Sequence, residues 1–417
     1  MKIDNLRHTT ENNRPGVAAD ITWEDCQRSP YTLYFETDAA FADDLTLNPH
    51  AFLVGTLLPA MHYGEKRVLL NHDICPELYE GLVSAMQWIR RWFYPPAKDL
   101  VRIEAPISKK VMYADKVGRA GLFFSGGIDA YSSFYGNRKR FAPDHPYFIK
   151  DGLLVYGLEI DDPQAFSYVY DSLKQATEAL GIMLIPVYTN IYLEYREEDT
   201  RQNFSFWINE LMGATFAAIA HAFSKRLSVV SIASNADIAH LEPWGSHPLL
   251  DANYSSCDLK IRHDGANRSR FEKTALIHDQ AVPLKYLRVC NLIKQYTSNA
   301  QNCGVCAKCV KTKLALLALD ALDKTTVFED PRIDPGLVRG SAYIYDDYTE
   351  ATYQDLIEPL AAKGYPELAD AVRFCLKRYQ DKASFLKRGI KQLDQTFFNG
   401  KCVKAFSSLR KLRSARR

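Results

Sequence analysis

The sequence has no apolar run long enough to cross a membrane. The longest candidate, Met212 to Phe223, has His221 inside it and falls short of the ~20 residues a spanning helix needs. The N-terminal stretch Met1 to His8 lacks the apolar core of a secretory signal. There is also no net charge of consequence. Fifty-two basic and 50 acidic residues leave +2, which selects no class of partner. A disulfide framework is missing too. Nine cysteines is an odd number, and four of them crowd into residues 290–309 instead of spreading over the chain. A cytoplasmic protein without a membrane partner is the expectation. What remains is an ordinary globular composition, 47% hydrophobic and 24% charged over 417 residues, enough for two or three domains.

Residues 1–112 read as an α+β region. Tyr31 to Glu36 has strand composition, and Pro49–Met61 and Pro76–Phe93 read as helices. In the second helix Leu78, Leu82, Met86 and Ile89 recur at helical spacing. The Trp and Arg cluster at 88–93 reads as a packed helix end. From 113 to 320 strand and helix patterns alternate, which points to a parallel sheet covered on both faces. The strands are Gly121–Phe124, Leu153–Ile160, Ile182–Tyr188, Leu227–Ala233 and Lys260–Gly265. Gly181 is placed as a helix C-cap. Residues 321–417 lean helical. The last seventeen residues hold seven Lys or Arg and no acid. Such a tail suits an acidic partner or nucleic acid, or is a solvated end; the solvated end is the favoured reading.

The chemistry concentrates first at Gly121-Leu122-Phe123-Phe124-Ser125-Gly126-Gly127-Ile128-Asp129-Ala130. A strand runs into a serine and two glycines, and a helix opens at Asp129. Glycines let a backbone fold close to an anion, and a helix N-terminus offers unbonded N–H groups and a positive dipole end. No lysine occupies the Walker position, so this is not the common P-loop. A plain strand-to-helix turn is the competing reading.

In an open parallel sheet, ligands bind beyond the carboxyl ends of the strands. Glu159, Asn190 and Asp237 lie at such ends. After the fourth strand comes a long loop holding Pro243-Trp244-Gly245-Ser246-His247-Pro248-Leu249-Leu250-Asp251. Loops of this length in a compact domain are usually functional. Trp244 offers a flat face for a heterocycle; Ser246, His247 and Asp251 offer polar groups to read its edge or move protons. The alternative makes Trp244 a plug and His247 a hydrogen-bonded prop. Arg268, Arg270 and Lys273 follow the fifth strand as candidate phosphate ligands, or as a solvated face.

The sharpest signal is Cys290 followed by Cys303-Gly304-Val305-Cys306-Ala307-Lys308-Cys309. Four thiolates at this spacing suit a closed, structural Zn²⁺ site. An iron–sulfur cluster is the rival occupant.

The ordered pair of signatures, Ser-Gly-Gly-x-Asp and then Cys…Cys-Gly-x-Cys-x-x-Cys, resembles the 7-cyano-7-deazaguanine synthase family of PP-loop ATP pyrophosphatases. The resemblance covers about 118–315. It implies an α/β fold: a five-stranded parallel sheet of the adenine nucleotide α-hydrolase type with a zinc knuckle, here flanked by an N-terminal α+β region and a helical C-terminal extension. It implies ATP, Mg²⁺ and Zn²⁺ as cofactors. Ser125, Gly126, Gly127 and Asp129 would match the pyrophosphate loop, and Cys290, Cys303, Cys306 and Cys309 the zinc ligands. Glu159 and Asn190 would be further nucleotide contacts. The chemistry implied is activation of a 7-carboxy-7-deazaguanine-like carboxylate as its adenylate, then transfer to ammonia or a protein amine. Ser125, Asp129, His247 and Asp251 are the candidate catalytic groups. Ala130 replaces a serine of the family loop, and the Trp244–Pro248 run replaces the family's substrate loop. Enlarged relatives of this kind resemble those of bacterial antiphage defence. Two other readings stand: sulfur transfer to tRNA through Cys257, and a non-catalytic nucleotide-binding protein.

Overall fold

The computed structural model describes residues 1–108, 116, 118–158, 160–195, 206–290 and 301–398, the side chains of 383–398 excepted. Ten strands form one sheet: β1 (Lys2–Thr9), β2 (Gly16–Thr22), β3 (Tyr31–Thr37), β4 (Arg67–Leu70), β5 (Arg102–Glu104), β6 (Arg119–Phe123), β7 (Ile149–Tyr156), β8 (Met183–Thr189), β9 (Leu227–Ala233) and β10 (Lys260–Asp264). Their order is β10-β9-β6-β7-β8-β3-β2-β1-β4-β5. The expected sheet of five strands is therefore corrected to one of ten. β6 to β10 are all mutually parallel. β8 then pairs antiparallel with β3, and the sheet runs on through the N-terminal strands.

That junction is built from polar side chains as well as the ladder. The Thr37 hydroxyl donates to the Pro186 carbonyl at 2.6 Å, and Thr189 donates to the Tyr34 carbonyl at 2.7 Å. Asn190 accepts from the Tyr34 N–H at 3.1 Å and donates to the Thr32 carbonyl at 2.8 Å. Both ends of its amide are thus committed to the sheet.

Helices cover both faces: α1 (Pro49–Tyr63), α2 (Pro76–Phe93), α3 (Ile128–Arg140), α4 (Pro163–Leu180), α5 (Met212–Ala222), α6 (Pro248–Asp251), α7 (Arg270–Ile277), α8 (Ala281–Tyr286), α9 (Ala307–Ala318), α10 (Pro335–Ser341), α11 (Asp347–Ala362) and α12 (Pro366–Phe398). One core lies under α1, α2 and α5 and takes Phe123 and Leu153 from the strands. A second lies under α3 and α4 and takes Leu122, Phe124 and Leu154. Consecutive strand residues enter opposite cores, as a strand's two-residue period requires. α1 is buried nearly all round, so its sequence is apolar all round. A third core joins α9 to α10, α11 and α12.

Local signals set the helix ends. Asp162 caps α4 by accepting from the Ala165 N–H, and Gly181 closes it at φ +67°. α5 is preceded by a π-helical turn over Trp207–Leu211. Ser269 and Glu272 form a reciprocal capping box on α7, an arrangement worth about 1 kcal/mol. This box fixes where α7 begins, and so where Arg270 and Lys273 point.

Candidate functional site: an anion cradle beside a four-cysteine knuckle

The strand order reverses between β6 and β9: β7 and β8 lie on one side of β6, β9 and β10 on the other. Crevices for ligands open at such a point, beyond the carboxyl ends of the strands. The chain leaving β6 there is Phe124-Ser125-Gly126-Gly127. Gly126 has φ +74°, a left-handed conformation that glycine adopts without steric cost. Its carbonyl accepts from the Arg288 N–H at 2.9 Å, and the Arg288 guanidinium donates to the Ser125 carbonyl at 3.2 Å. Gly127, at the N-cap of α3, donates its N–H to Ser125 Oγ at 3.4 Å, and no side chain caps the helix. Among the described residues, a Cβ added at Gly127 would meet Ser125 Oγ at 3.4 Å and the Arg288 carbonyl at 3.6 Å. The loop mouth has room for an anion's oxygens, and a methyl group would take part of it.

Asp129 sits on the first turn of α3, and both its oxygens are engaged. Arg270 approaches Oδ2 at 3.0 Å and Lys273 approaches Oδ1 at 3.2 Å. The two cations lie three apart on α7, hence on one face. Lys273 is buried and also donates to the Ser234 carbonyl at 2.6 Å, which joins the end of β9 to the cradle. Burial pulls the Lys273 ammonium below its ordinary value while Asp129 opposes the shift. Burial also works against the Arg270 charge, but Asp129 and Tyr348 hold it above the ordinary arginine range. Asp129 therefore organises two cations; a direct role toward magnesium requires that one of them give way. Ala130 is buried in the α3 core.

The other expected contacts are placed less directly. Glu159 lies outside the described residues. Asn190 is committed to the β3–β8 junction. Asp237 caps the turn after β9, accepting from the Ala239 N–H at 2.9 Å and meeting His240 Nδ1 at 2.9 Å.

In the 243–251 loop Ser246, His247 and Asp251 are held in hydrogen bonds within the loop and to β10. His247 caps α6, accepting at Nδ1 from the Leu249 N–H at 3.0 Å, and its ring meets Trp92 edge-on. Burial, then the neighbouring His263, pulls its imidazole below the ordinary value. Asp251 is fully buried. It accepts from Ser246 Oγ at 2.8 Å and from the His247 N–H at 3.3 Å, and pairs with His263 Nδ1 at 2.7 Å. Trp244 is partly buried.

The four cysteines converge. Sγ–Sγ separations are 3.5 Å for Cys290–Cys303, 3.9 Å for Cys290–Cys306, 3.9 Å for Cys303–Cys309 and 3.4 Å for Cys306–Cys309. Around a tetrahedral ion with Zn–S of ~2.3 Å, sulfurs stand about 3.8 Å apart. All four sulfurs lie within 4.8 Å of one another, which leaves space for a single ion and not for a multi-iron cluster. Gly304 turns the knuckle at φ +76°, and the Cys306 N–H points at Cys303 Sγ, 3.4 Å away. The buried Lys313 ammonium donates to the Asp330 and Arg332 carbonyls beside the knuckle.

Asn302, fully buried, ties knuckle to cradle. Its Oδ1 accepts from the Val289 N–H at 2.7 Å and the Cys290 N–H at 3.0 Å, and its amide donates to the Leu287 carbonyl at 2.8 Å. The segment so gripped contains Arg288, whose N–H holds Gly126. Asn302 and Arg288 carry no pattern that singles them out in the sequence, although both lie within two residues of the clustered cysteines. Comparison with family models, curated proteins and solved structures returned no match.

Proposed function

We propose that the chain is an ATP-dependent, AMP- and pyrophosphate-forming enzyme that activates a carboxylate as its acyl-adenylate and passes the acyl group to a nitrogen nucleophile. The observation that carries this reading is the convergence at the β6–β9 reversal. A two-glycine loop at the start of α3, Lys273 and Arg270 meet on one aspartate there. In the reaction a carboxylate oxygen attacks the α-phosphorus, the bond to the β-phosphate oxygen breaks, and pyrophosphate leaves. The amine then attacks the acyl carbon, AMP departs, and the amine's proton passes to a base. The first step is slow unless the leaving charge is met by fixed donors and cations. Ser125, the backbone N–H groups that open α3, Lys273 and Arg270 supply these. Magnesium bound with the nucleotide adds further neutralisation. The resemblance to deazaguanine enzymes makes a 7-carboxy-7-deazaguanine-like acid the proposed substrate, with ammonia or a protein amine as acceptor. The partly buried indole of Trp244 is the proposed stacking surface.

A zinc ion in the four-cysteine site fits as a structural element that holds Arg288 against the loop. The sulfur-transfer reading gains no support. Cys257 precedes β10 and donates its N–H to Cys75 Sγ at 3.3 Å. It thus sits at the amino ends of the parallel strands, opposite the cradle, and burial pushes its thiol up to about 12. The test is product analysis with ATP, magnesium and the carboxylate. Lys273→Met should lower turnover by at least a hundredfold, since the buried cation that holds Asp129 and the end of β9 at the loop is lost.

A further inference from the structure

The C-terminal helical region does not stand apart from this site. α11 packs on both α7 and α9, and it brings Tyr348 to the cradle's cations. The Tyr348 hydroxyl donates to the Asn235 carbonyl at 2.6 Å and accepts from Arg270. Arg270 is thereby held from two sides, by Asp129 and by Tyr348. Its Nε is buried and finds no acceptor among the described residues. From α9, two residues after Cys309, Lys311 reaches the same place. Its ammonium donates to Thr352 Oγ1 at 3.2 Å and lies 5.9 Å from the Tyr348 ring centre and 5.8 Å from that of Tyr353. Neither contact carries a negative charge. Lys311 and Arg270 thus both stand beside Tyr348, and the carboxylates that reach them are Asp129 and Asp346.

Cations are not gathered this way for stability. Like charges at short range repel, and a buried cation without an anion is costly. The arrangement becomes favourable when a polyvalent anion enters. An ATP seated in the Ser125–Gly127 loop has such an anion at its far end. We infer that α9 and α11 form the outer wall of the phosphate site, with Lys311 as a direct ligand of the pyrophosphate end and Tyr348 as the positioning residue that aims Arg270 at it. This rests on the nucleotide reading above and gives the C-terminal region a role: it completes the grip on the leaving group.

The test uses the full chain in magnesium-containing buffer and two probes, inorganic pyrophosphate and AMP, each titrated by calorimetry. Pyrophosphate reports on the wall; AMP lacks the groups the wall would hold. Tyr348→Phe keeps the ring and removes the hydroxyl; Lys311→Met keeps the stem and removes the charge. Each is expected to weaken pyrophosphate about tenfold, ~1.4 kcal/mol, to leave AMP unchanged, and to leave the melting temperature of the unliganded protein near the wild-type value. Unchanged pyrophosphate affinity in both variants overturns the inference, as does an equal loss for AMP, which marks a general structural role. A wild-type protein that binds AMP but not pyrophosphate overturns the wall and leaves the nucleotide site standing. A wild-type protein that binds neither overturns both.

Discussion

The two glycines of the cradle should respond to alanine in opposite ways. Gly126 has φ +74°, and a Cβ there would come within 2.5 Å of Leu173 Cδ2. The left-handed backbone costs a non-glycine residue about 1–2 kcal/mol. Displacing Leu173, fully buried in α4, adds roughly 1 kcal/mol of overpacking. Gly126→Ala should therefore lose about 2–3 kcal/mol of stability. At Gly127 φ is −83°, which any residue adopts, and the nearest atoms are at ordinary contact distance. There the loss of a glycine N-cap is offset by a less flexible unfolded chain, each a few tenths to ~1 kcal/mol. Gly127→Ala should melt near the wild type, yet its methyl group stands where phosphate oxygens would approach, and ATP affinity should fall at least tenfold. Urea denaturation and nucleotide titration on both variants decide the matter. A Gly127→Ala protein with undiminished ATP affinity would refute the cradle. A Gly126→Ala protein as stable as wild type would refute the strain argument.

Further outcomes follow from the same geometry. Metal analysis of purified protein should find one zinc per chain, and Cys306→Ser should be unstable because a structural ion contributes folding free energy; iron with sulfide would contradict the single-ion site. Asp251→Ala should cost about 3 kcal/mol or more by urea denaturation, since it strands several buried donors at once; a loss under 1 kcal/mol would show that the network is wet. Burial holds His50 down to about 3 and His221 down to about 4, so the unfolded chain takes up these protons first as pH falls. The stability is present above the unfolded value near 6.5 and is lost below it, at up to ~1.4 kcal/mol per pH unit for each histidine. Between pH 6 and 5 the loss should be about 2–3 kcal/mol, and a His221→Gln variant that remains folded should show a shallower loss. Trp244→Ala should raise the carboxylate's apparent KM about tenfold while ATP affinity holds; equal losses in both would place this indole in the nucleotide pocket or the core.

Four of the five parallel strands were legible as short apolar runs ending in a glycine or polar break; the fifth, Lys260–Asp264, has one apolar residue and was legible from its place in the alternation of strand and helix. β1 and β2 were not: in Lys2–Thr9 the apolar residues Ile3 and Leu6 do not recur at the two-residue strand period, and β2 is a short stretch opened by a glycine. The antiparallel join of β8 to β3 pairs residues some 150 positions apart, which no local pattern encodes. The cysteine spacing announced its site directly, since metal ligation demands fixed residue types. His247 and Asp251 read as catalytic from their chemistry. In the fold they form a helix cap and a buried carboxylate network, roles that need the same side chains. Tyr348 and Lys311 carried no signal because their meaning depends on α11 lying against α7, far away in the chain.

The most direct test of the central claim is the products formed from ATP. Full-length protein with magnesium, ATP and 7-carboxy-7-deazaguanine should release AMP and pyrophosphate in equal amounts, with the acyl-adenylate mass detectable when no amine is supplied. ADP and orthophosphate as products, or ATP that neither binds nor turns over, would contradict the account.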